Sequence, residues 1–520
     1  MVHDLLQEMG WEIVRQESTR DPGKRNRLWY HEDIYRVLEE NELHKLKHID
    51  LSFSKYLRIQ DLSLAPNLEN LILESCTSLC EITSSVDGLN YKLLILNLRH
   101  CKSLDSLPTD IRLESVEKVI FSGCSNLKKF PQISWNMKEL YLDETAIEKL
   151  PSSIENLSRL VILNLKDCSM LERVPSNICK LRSLEHLNLS GCSKLGGLLD
   201  NLRNLTASRV LKAVRVAATR EAPISIPYLR RLEKLDLTNC FIKELPDNLG
   251  QLSSLQSLLL GRNFFESIPS IAALYKLSYL DLSYCERLQV LPELPRNLRN
   301  IDAYNCTALG VSSSFSIFFE NLNFFYHGAR INLSNCLNLD QDAISEFFNG
   351  ILQLEKRTLK MYGIMRNNNT GCVCFPGSEI PELFVFQRKE SFITLEKQEI
   401  LGDNSLSSLL VCVVVEFRNY HNEGQGLVVV FECLLTREDG TIDMFRGTLR
   451  GWNYGNGPDN VDSEHVFLGY DSYSNFSDLY NINHHKYRKM TIRFYVENLT
   501  KRLGCCNVKK CGVLCRNDLF

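Results

Sequence analysis

No run of apolar residues in this 520-residue sequence approaches the roughly 18 that a membrane-crossing helix needs. The longest, such as Leu409–Val415, stop far short, so no membrane span is expected. The first ten residues carry two acids and no continuous apolar core, which excludes a secretory signal there and leaves the cytosol as the expected compartment, with the nucleus open to the same chain. Positive charge is not in surplus either: 60 Lys and Arg stand against 63 Asp and Glu, a net charge of −3. A nucleic-acid partner would need a local basic patch and is not expected. With 44% hydrophobic and 24% charged residues the chain is not a disordered tail, and its length exceeds what one core organises. Signatures of chemistry are missing as well. There is no Gly-x-x-x-x-Gly-Lys-Ser/Thr phosphate loop, no Gly-x-Ser-x-Gly elbow, no His-Glu-x-x-His and no Gly-x-Gly-x-x-Gly. An enzyme is therefore not expected, and no catalytic residue or resident cofactor is assigned.

What is present is cysteine in an ordered arrangement. Nineteen in 520 is about 4%, well under the level of a disulfide scaffold. Cys76, Cys101, Cys124, Cys168, Cys192, Cys240, Cys285, Cys306 and Cys336 follow one another at 25, 23, 44, 24, 48, 45, 21 and 30 residues, all but the last being one or two steps of a period near ~23. Aligned on them, the chain reads Leu-x-x-Leu-x-Leu-x-x-Cys-x-x-Leu-x-x-Leu-Pro, as in Leu93, Leu96, Leu98, Cys101, Leu104, Leu107 and Pro108. Variants with Thr145 or Asn263 at the cysteine position fill two of the gaps, and a degraded unit is placed at Leu211, Val214, Val216 and Thr219. This is the leucine-rich-repeat pattern: Leu-x-Leu puts two side chains on one face of a short strand, and each unit buries that face only against its neighbours. The marker residue sits in the turn after the strand, where a small side chain packs inside and reaches backbone of the next unit. Free cysteine there acts as a small buried hydrophobe, not a metal ligand.

Flanking segments differ. Leu5–Val14 has helical apolar spacing, followed by a Pro22-Gly23 turn, a basic run Lys24–Arg27 and a second helix near Asp33–Glu40. After the repeats, Asp340–Leu352 reads as an acidic-started amphipathic helix capping the stack, and Asn367–Thr370 as a linker. Beyond it Leu409–Phe417, Leu427–Leu435, His465–Tyr470 and Met490–Val496 read as strands. The fold class expected is an α/β leucine-rich-repeat solenoid, a horseshoe, followed by an all-β jelly-roll or Ig-like sandwich. The domains are expected at 1–45, the end of an incomplete preceding domain; 46–339, about eleven or twelve repeats; 340–371, capping helix and linker; and 372–515, the sandwich.

Val2-His3-Asp4-Leu5-Leu6-Gln7-Glu8-Met9-Gly10, with Arg27-Leu28-Trp29 and Glu32-Asp33-Ile34, resembles the Met-His-Asp segment of plant TIR-type nucleotide-binding leucine-rich-repeat disease resistance proteins, with Val2 where Met is usual. Cys374–Pro381, His465–Leu468 and Val508–Val513 resemble the post-repeat domain of the same family. The resemblance implies an immune receptor fragment that recognises a pathogen effector or a guarded host protein through the repeats and the post-repeat domain, beside a full-length partner receptor. It makes His3 and Asp4 a relic of a nucleotide-sensing motif. ADP or ATP binding, and cleavage of NAD, would belong to the nucleotide-binding and TIR domains, which this sequence lacks.

Binding is then expected on the strand face. The residues between and just after the strand leucines, Tyr141, Asp143, Asn164, Lys166, Asp236, Thr238, Arg262, Asp281, Tyr284, Asp302 and Tyr304, are placed on the concave side as candidate protein contacts, since Tyr and Arg dominate hot spots. Cys505-Cys506-x4-Cys511-x3-Cys515 and Cys372-x-Cys374 lack paired zinc-ligand spacing and read as free thiols, and His484-His485 as solvated, so no metal is expected.

Overall fold

A computed structural model describes residues 12–13, 16, 27–28, 46–54, 65–80, 92–107, 114–130, 135–196, 205–216, 229–310, 330–340, 344, 370–382, 384–401, 406–421, 427–449, 460–471, 487–498 and 503–517. They divide into two compact units, Met1–Phe241 and Ile242–Phe520, each taken by itself below. His3 and Asp4, the segment near 33–40, and all but Asp340 and Ile344 of the expected capping helix lie outside the described residues.

In the first unit a two-residue strand β1 (Arg27–Leu28) opens a parallel ladder that continues through β2 (His48–Asp50), β3 (Asn70–Ile72), β4 (Ile95–Asn97), β5 (Lys118–Ile120), β6 (Glu139–Tyr141), β7 (Ile162–Asn164), β8 (His186–Asn188), β9 (Val210–Lys212) and β10 (Lys234–Asp236). Each pair is in register at its central residue, Leu140 beside Leu163 beside Leu187, and those central side chains are buried. A solenoid of leucine-rich repeats is the result. Fully burying one such leucine contributes about 1.5–3 kcal/mol, so the stacked row is the main source of stability.

The described return segments are turns and short 3₁₀ helices. Three of the latter, Ser152–Asn156, Ser176–Lys180 and Asp247–Gln251, each follow a proline in extended backbone: Pro151, Pro175 and Pro246. The sequence spells the reason. In Pro151-x-x-Ile154-x-x-Leu157, Pro175-x-x-Ile178-x-x-Leu181 and Pro246-x-x-Leu249-x-x-Leu252 the apolar residues recur every three, which is the 3₁₀ period, and all six aliphatic residues are buried. Ile154 donates its N–H to the Pro151 carbonyl at 3.1 Å and Leu157 to that of Ile154 at 3.0 Å. Among the described repeat residues the helical half of the expected α/β class takes the form of single 3₁₀ turns, which suit a short repeat of about 23 residues.

Every repeat turn uses one residue in the left-handed region immediately before the marker: Ser75 (φ 59°), His100 (56°), Gly123 (76°), Glu144 (59°), Asp167 (57°), Gly191 (79°), Arg215 (57°) and Asn239 (56°). That conformation aims its N–H sideways at the next repeat. His100 donates to the Ser122 carbonyl at 2.7 Å, Asp167 to Ser190 at 2.6 Å and Arg215 to Thr238 at 2.9 Å. The marker thiol reaches the other way. Cys76 donates to the Leu51 carbonyl (3.2 Å), Cys101 to Leu73 (3.0 Å), Cys124 to Leu98 (3.0 Å), Cys168 to Leu142 (3.0 Å), Cys192 to Leu165 (3.2 Å) and Cys240 to Ala213 (2.7 Å). The expected bond to the next unit is therefore one to the preceding unit. Burial pushes these thiols up, to about 12 for Cys101, Cys124 and Cys240, so they remain protonated donors.

The degraded repeat needs its register corrected. Leu211 is the centre of β9, Ala213 and Val216 are buried, Val214 is half-exposed, and Arg215 holds the left-handed position. The unit is therefore Ser208, Leu211, Ala213 and Val216, three residues earlier than the sequence alignment on Leu211, Val214, Val216 and Thr219. Small Ser208 and Ala213 replace leucines there, which removed the pattern on which the alignment relied.

The second unit repeats the device with β11 (Ser257–Leu259), β12 (Tyr279–Asp281), β13 (Asn300–Asp302) and β14 (Arg330–Asn332). Cys285, Cys306 and Cys336 donate to the Leu260, Leu282 and Ala303 carbonyls at 3.3, 3.1 and 3.1 Å. The ladder then continues without a break into β15 (Thr370–Pro376), which pairs in parallel with β14, Val373 beside Ile331, and antiparallel with a later strand. From there the chain runs through β16 (Phe386–Arg388), β17 (Phe392–Glu396), β18 (Leu406–Phe417), β19 (Tyr420–His421), β20 (Val428–Arg437), β21 (Ile442–Leu449), β22 (Asn460–Val461), β23 (Glu464–Asp471), β24 (Tyr487–Glu497) and β25 (Cys506–Asn517). Antiparallel pairing links β15, β23, β18, β25 and β16 in one order and β17, β24, β20 and β21 in another. One buried cluster draws on both, with Val411, Val413, Phe417 and Phe467 from the first and Phe431, Cys433, Ile492 and Phe494 from the second.

Candidate functional site

The strand face opposite the leucine core carries the candidates, and the structure sorts them. Four of the acidic or amide residues between the strand leucines fold back onto their own turn. Oδ1 of Asn164 accepts the Lys166 N–H (3.2 Å), that of Asp236 the Thr238 N–H (3.3 Å) and hydroxyl (2.8 Å), that of Asp281 the Ser283 N–H (2.9 Å) and that of Asp302 the Tyr304 N–H (3.2 Å). Asx side chains are selected there because they satisfy the backbone as the strand ends. Asp281, Asp302 and Tyr304 are moreover only 8%, 5% and 3% exposed.

In the first unit Tyr141 and Asp143 lie in a polar row across three repeats, those of β5, β6 and β7. Lys118 pairs with Glu139 at 2.7 Å and sits 5.2 Å from the Tyr141 ring centroid, while the Tyr141 hydroxyl donates to Glu139 at 3.1 Å. The bond to Glu139 raises the Lys118 pKa, and burial raises that of Tyr141. Asp143 accepts from Ser122 (2.7 Å) and Asn164 (2.9 Å). Lys166 is exposed and lies 3.5 Å from Asp167, which also pairs with Arg215 at 3.1 Å across the intervening Gly191. Lys118 and Glu139, at the first position of their strands, were missed by sequence reading; their opposite charges in adjacent repeats were the available signal.

In the second unit the left-handed position carries larger side chains. The exposed Arg262 guanidinium stacks on Tyr284 at 3.9 Å from its centroid, and Tyr284 meets Tyr304 edge-on at 5.0 Å. Asn335 Nδ2 donates to the Tyr304 hydroxyl at 3.2 Å, and the Asn335 N–H donates to Nε2 of His465 at 3.2 Å. His465 is fully buried and held neutral, its pKa lowered to about 4 by burial. Asp302, beside Asp281 in register across β12 and β13, has its pKa raised to about 7 by burial and then by that second carboxylate, and accepts Asn332 Nδ2 at 3.0 Å. Among the described residues no group of three or more His, Cys, Asp or Glu could hold a metal, and no helix is long and apolar enough to cross a membrane.

A family profile described as "Disease resistance protein RPS4B-like, leucine-rich repeats" matches residues 112–317. The repeats of this chain belong to that disease resistance family. The resemblance read from the sequence is thereby borne out, and full-length relatives extend it. The disease resistance-like protein DSC1 of Arabidopsis thaliana is 34% identical over 91% of this chain and 42% of its own length. The disease resistance protein RPS4B of the same plant is 32% identical over 92% of this chain and 39% of its own. The chain thus spans less than half the length of these family members. Among solved structures, the functional domain of InlJ from Listeria monocytogenes aligns with 50% of this chain and 55% of that one at 19% identity, with a TM-score of 0.38, too low to add to the fold described above.

Proposed function

We propose that this chain is the recognition portion of a plant immune receptor of the TIR-type nucleotide-binding leucine-rich-repeat class, acting inside the cell in the cytoplasm or nucleus and binding a pathogen effector or a guarded host protein. The observation that carries the reading is the exposed Arg262 guanidinium stacked on Tyr284, an anchor of the type that dominates protein interfaces, on a repeat ladder. In the first unit, taken by itself, Tyr141, Asp143 and Lys166 are a further candidate contact surface. The region from β15 onward, which we assign to a jelly-roll or Ig-like sandwich, binds together with the repeats; the shared core of its two antiparallel ladders supports that assignment. The chain itself is assigned no enzymatic role and no cofactor, His3 and Asp4 included. Binding of candidate effectors to the purified chain, measured for the parent and for Arg262→Ala, tests the reading: a parent that binds no effector recognised by the intact receptor refutes it. So does measurable ADP binding or NAD hydrolysis by these 520 residues.

The coverage of the relatives favours a second reading, that these residues are part of a longer receptor whose nucleotide-binding and NAD-cleaving domains are encoded upstream. In-frame genomic sequence distinguishes the two: upstream exons with a phosphate loop support the longer receptor, and a stop codon with a promoter supports the short chain.

A further inference from the structure

Most of the described thiols are buried, in the repeats and in the C-terminal core. Those of the repeat markers are buried and spend their S–H on a backbone carbonyl. Cys505 and Cys506 differ in every respect: they are neighbours in sequence, half-buried, and their sulfurs approach each other to 3.8 Å. The main chain around them is held on both sides. The Cys505 carbonyl accepts the Arg418 N–H at 3.0 Å, Leu503 donates to the Val496 carbonyl at 3.1 Å, and Cys506 opens β25 in register with Phe417. Both thiols pack on the rim of the C-terminal core. The other thiols outside the core are isolated by comparison: Cys80 is exposed and bonded to the Ser78 carbonyl, and Cys179 sits in a 3₁₀ turn.

We propose that Cys505 and Cys506 form a redox-modifiable vicinal dithiol, which closes to a disulfide between adjacent residues by exchange with a low-molecular-weight disulfide of the glutathione class. The Cys505 thiolate attacks one sulfur of the small disulfide. A new S–S bond forms, the old one breaks, and the first small thiol leaves with the electron pair and takes a proton. Cys506 then gives its proton to solvent and attacks the Cys505 sulfur, expelling the second small thiol. Two protein thiols are oxidised and one small disulfide is reduced to two thiols, so the exchange balances without a further oxidant. Burial, with Cys505 beside it, holds Cys506 in the thiol form, which makes it the second sulfur to react. Closure shortens the sulfur separation from 3.8 Å to about 2.0 Å and, because adjacent Cα atoms lie only about 3.8 Å apart, also turns the backbone between the two residues.

The test uses the full chain, oxidised glutathione and peptide mass spectrometry. The peptide holding Cys505 and Cys506 is expected to lose two hydrogens, retain no glutathione and revert with dithiothreitol. Cys506→Ser is expected to stop at a mixed disulfide on Cys505. Phenylarsine oxide, which needs two neighbouring thiols, is expected to bind the reduced parent at this peptide and to lose that binding after oxidation and in both Cys505→Ser and Cys506→Ser. The proposal is overturned if the parent accumulates glutathione at either residue, if the pair stays reduced while Cys80 or Cys179 is modified, or if the arsenical still binds there in both variants.

Discussion

The Asn335 N–H donates to Nε2 of His465 at 3.2 Å, in the place where Tyr284 and Asn305, at the same turn position, donate to the Tyr304 and Ser334 carbonyls of the next repeat. An imidazole from β23 thus terminates the chain of inter-repeat bonds, 130 residues away in sequence. It performs this role only when neutral.

That relationship predicts a pH response with two opposed parts. His465 has a folded pKa of about 4, below its unfolded value, so its contribution is present above pH ~6.5 and is lost as pH falls from there to ~4. Asp302 has a folded pKa of about 7, above its unfolded value, so its contribution is present below pH ~4 and is lost as pH rises to ~7. Between pH ~4 and ~6.5 the slopes oppose each other, and the unit that holds both should show a shallow stability profile. Asp302→Asn should stabilise the chain at pH 8 by on the order of a few kcal/mol and leave a profile that rises with pH. His465→Gln should leave one that falls. Urea midpoints from pH 4 to 8 for the parent and both variants decide this, and identical slopes in all three would refute it.

A second expectation concerns the thiol ladder. Cys101→Ala removes both a buried sulfur and the donor to the Leu73 carbonyl, and should cost about 1–3 kcal/mol. Cys101→Ser keeps a donor and should cost less. Denaturant titration followed by circular dichroism measures the difference.

Gly191 offers a steric test. Its φ of +79° disfavours any side chain, and a Cβ there would lie 2.0 Å from Oδ1 of Asp167. Gly191→Ala should cost about 1–2 kcal/mol and break the Asp167 pairing with Arg215. Asp167→Ala in the same chain should recover the steric part and leave the backbone part, which thermal melts of the single and double variants can separate.

The contact surface makes a fourth. Arg262→Ala and Tyr284→Ala should each weaken binding of the protein partner by tenfold or more, about 1.4 kcal/mol or greater, while the thermal midpoint stays near that of the parent for Arg262→Ala because the guanidinium is exposed. Calorimetry with the bound partner measures it. Lys166→Ala, at an ion pair 3.5 Å long on the surface, should leave the thermal midpoint close to that of the parent.

Much of this was legible without coordinates, for a physical reason. A leucine such as Leu163 needs only its counterparts one period away, Leu140 and Leu187, to be buried, so spacing alone placed the repeat strands from Leu46 onward and the long strands Leu406–Phe417, Val428–Arg437 and Tyr487–Glu497 to within a few residues. The strand β21 was missed because Ile442 and Met444 point outward, against the usual alternation. The strand face itself read as a row of available side chains, and only neighbouring backbone decided otherwise. Asp236 and Asp281 were already taken by their own turns, and Tyr304 was covered.

Sequence by itself determined the repeat, its marker and its buried face, because each is a local consequence of side-chain size recurring at a fixed interval. Tertiary structure decided which way the marker thiols bond, the fusion of β14 to β15, the neutral state of His465 and the approach of Cys505 to Cys506. Each depends on desolvation or hydrogen bonding set by the three-dimensional surroundings, and those surroundings leave no period in the sequence to read.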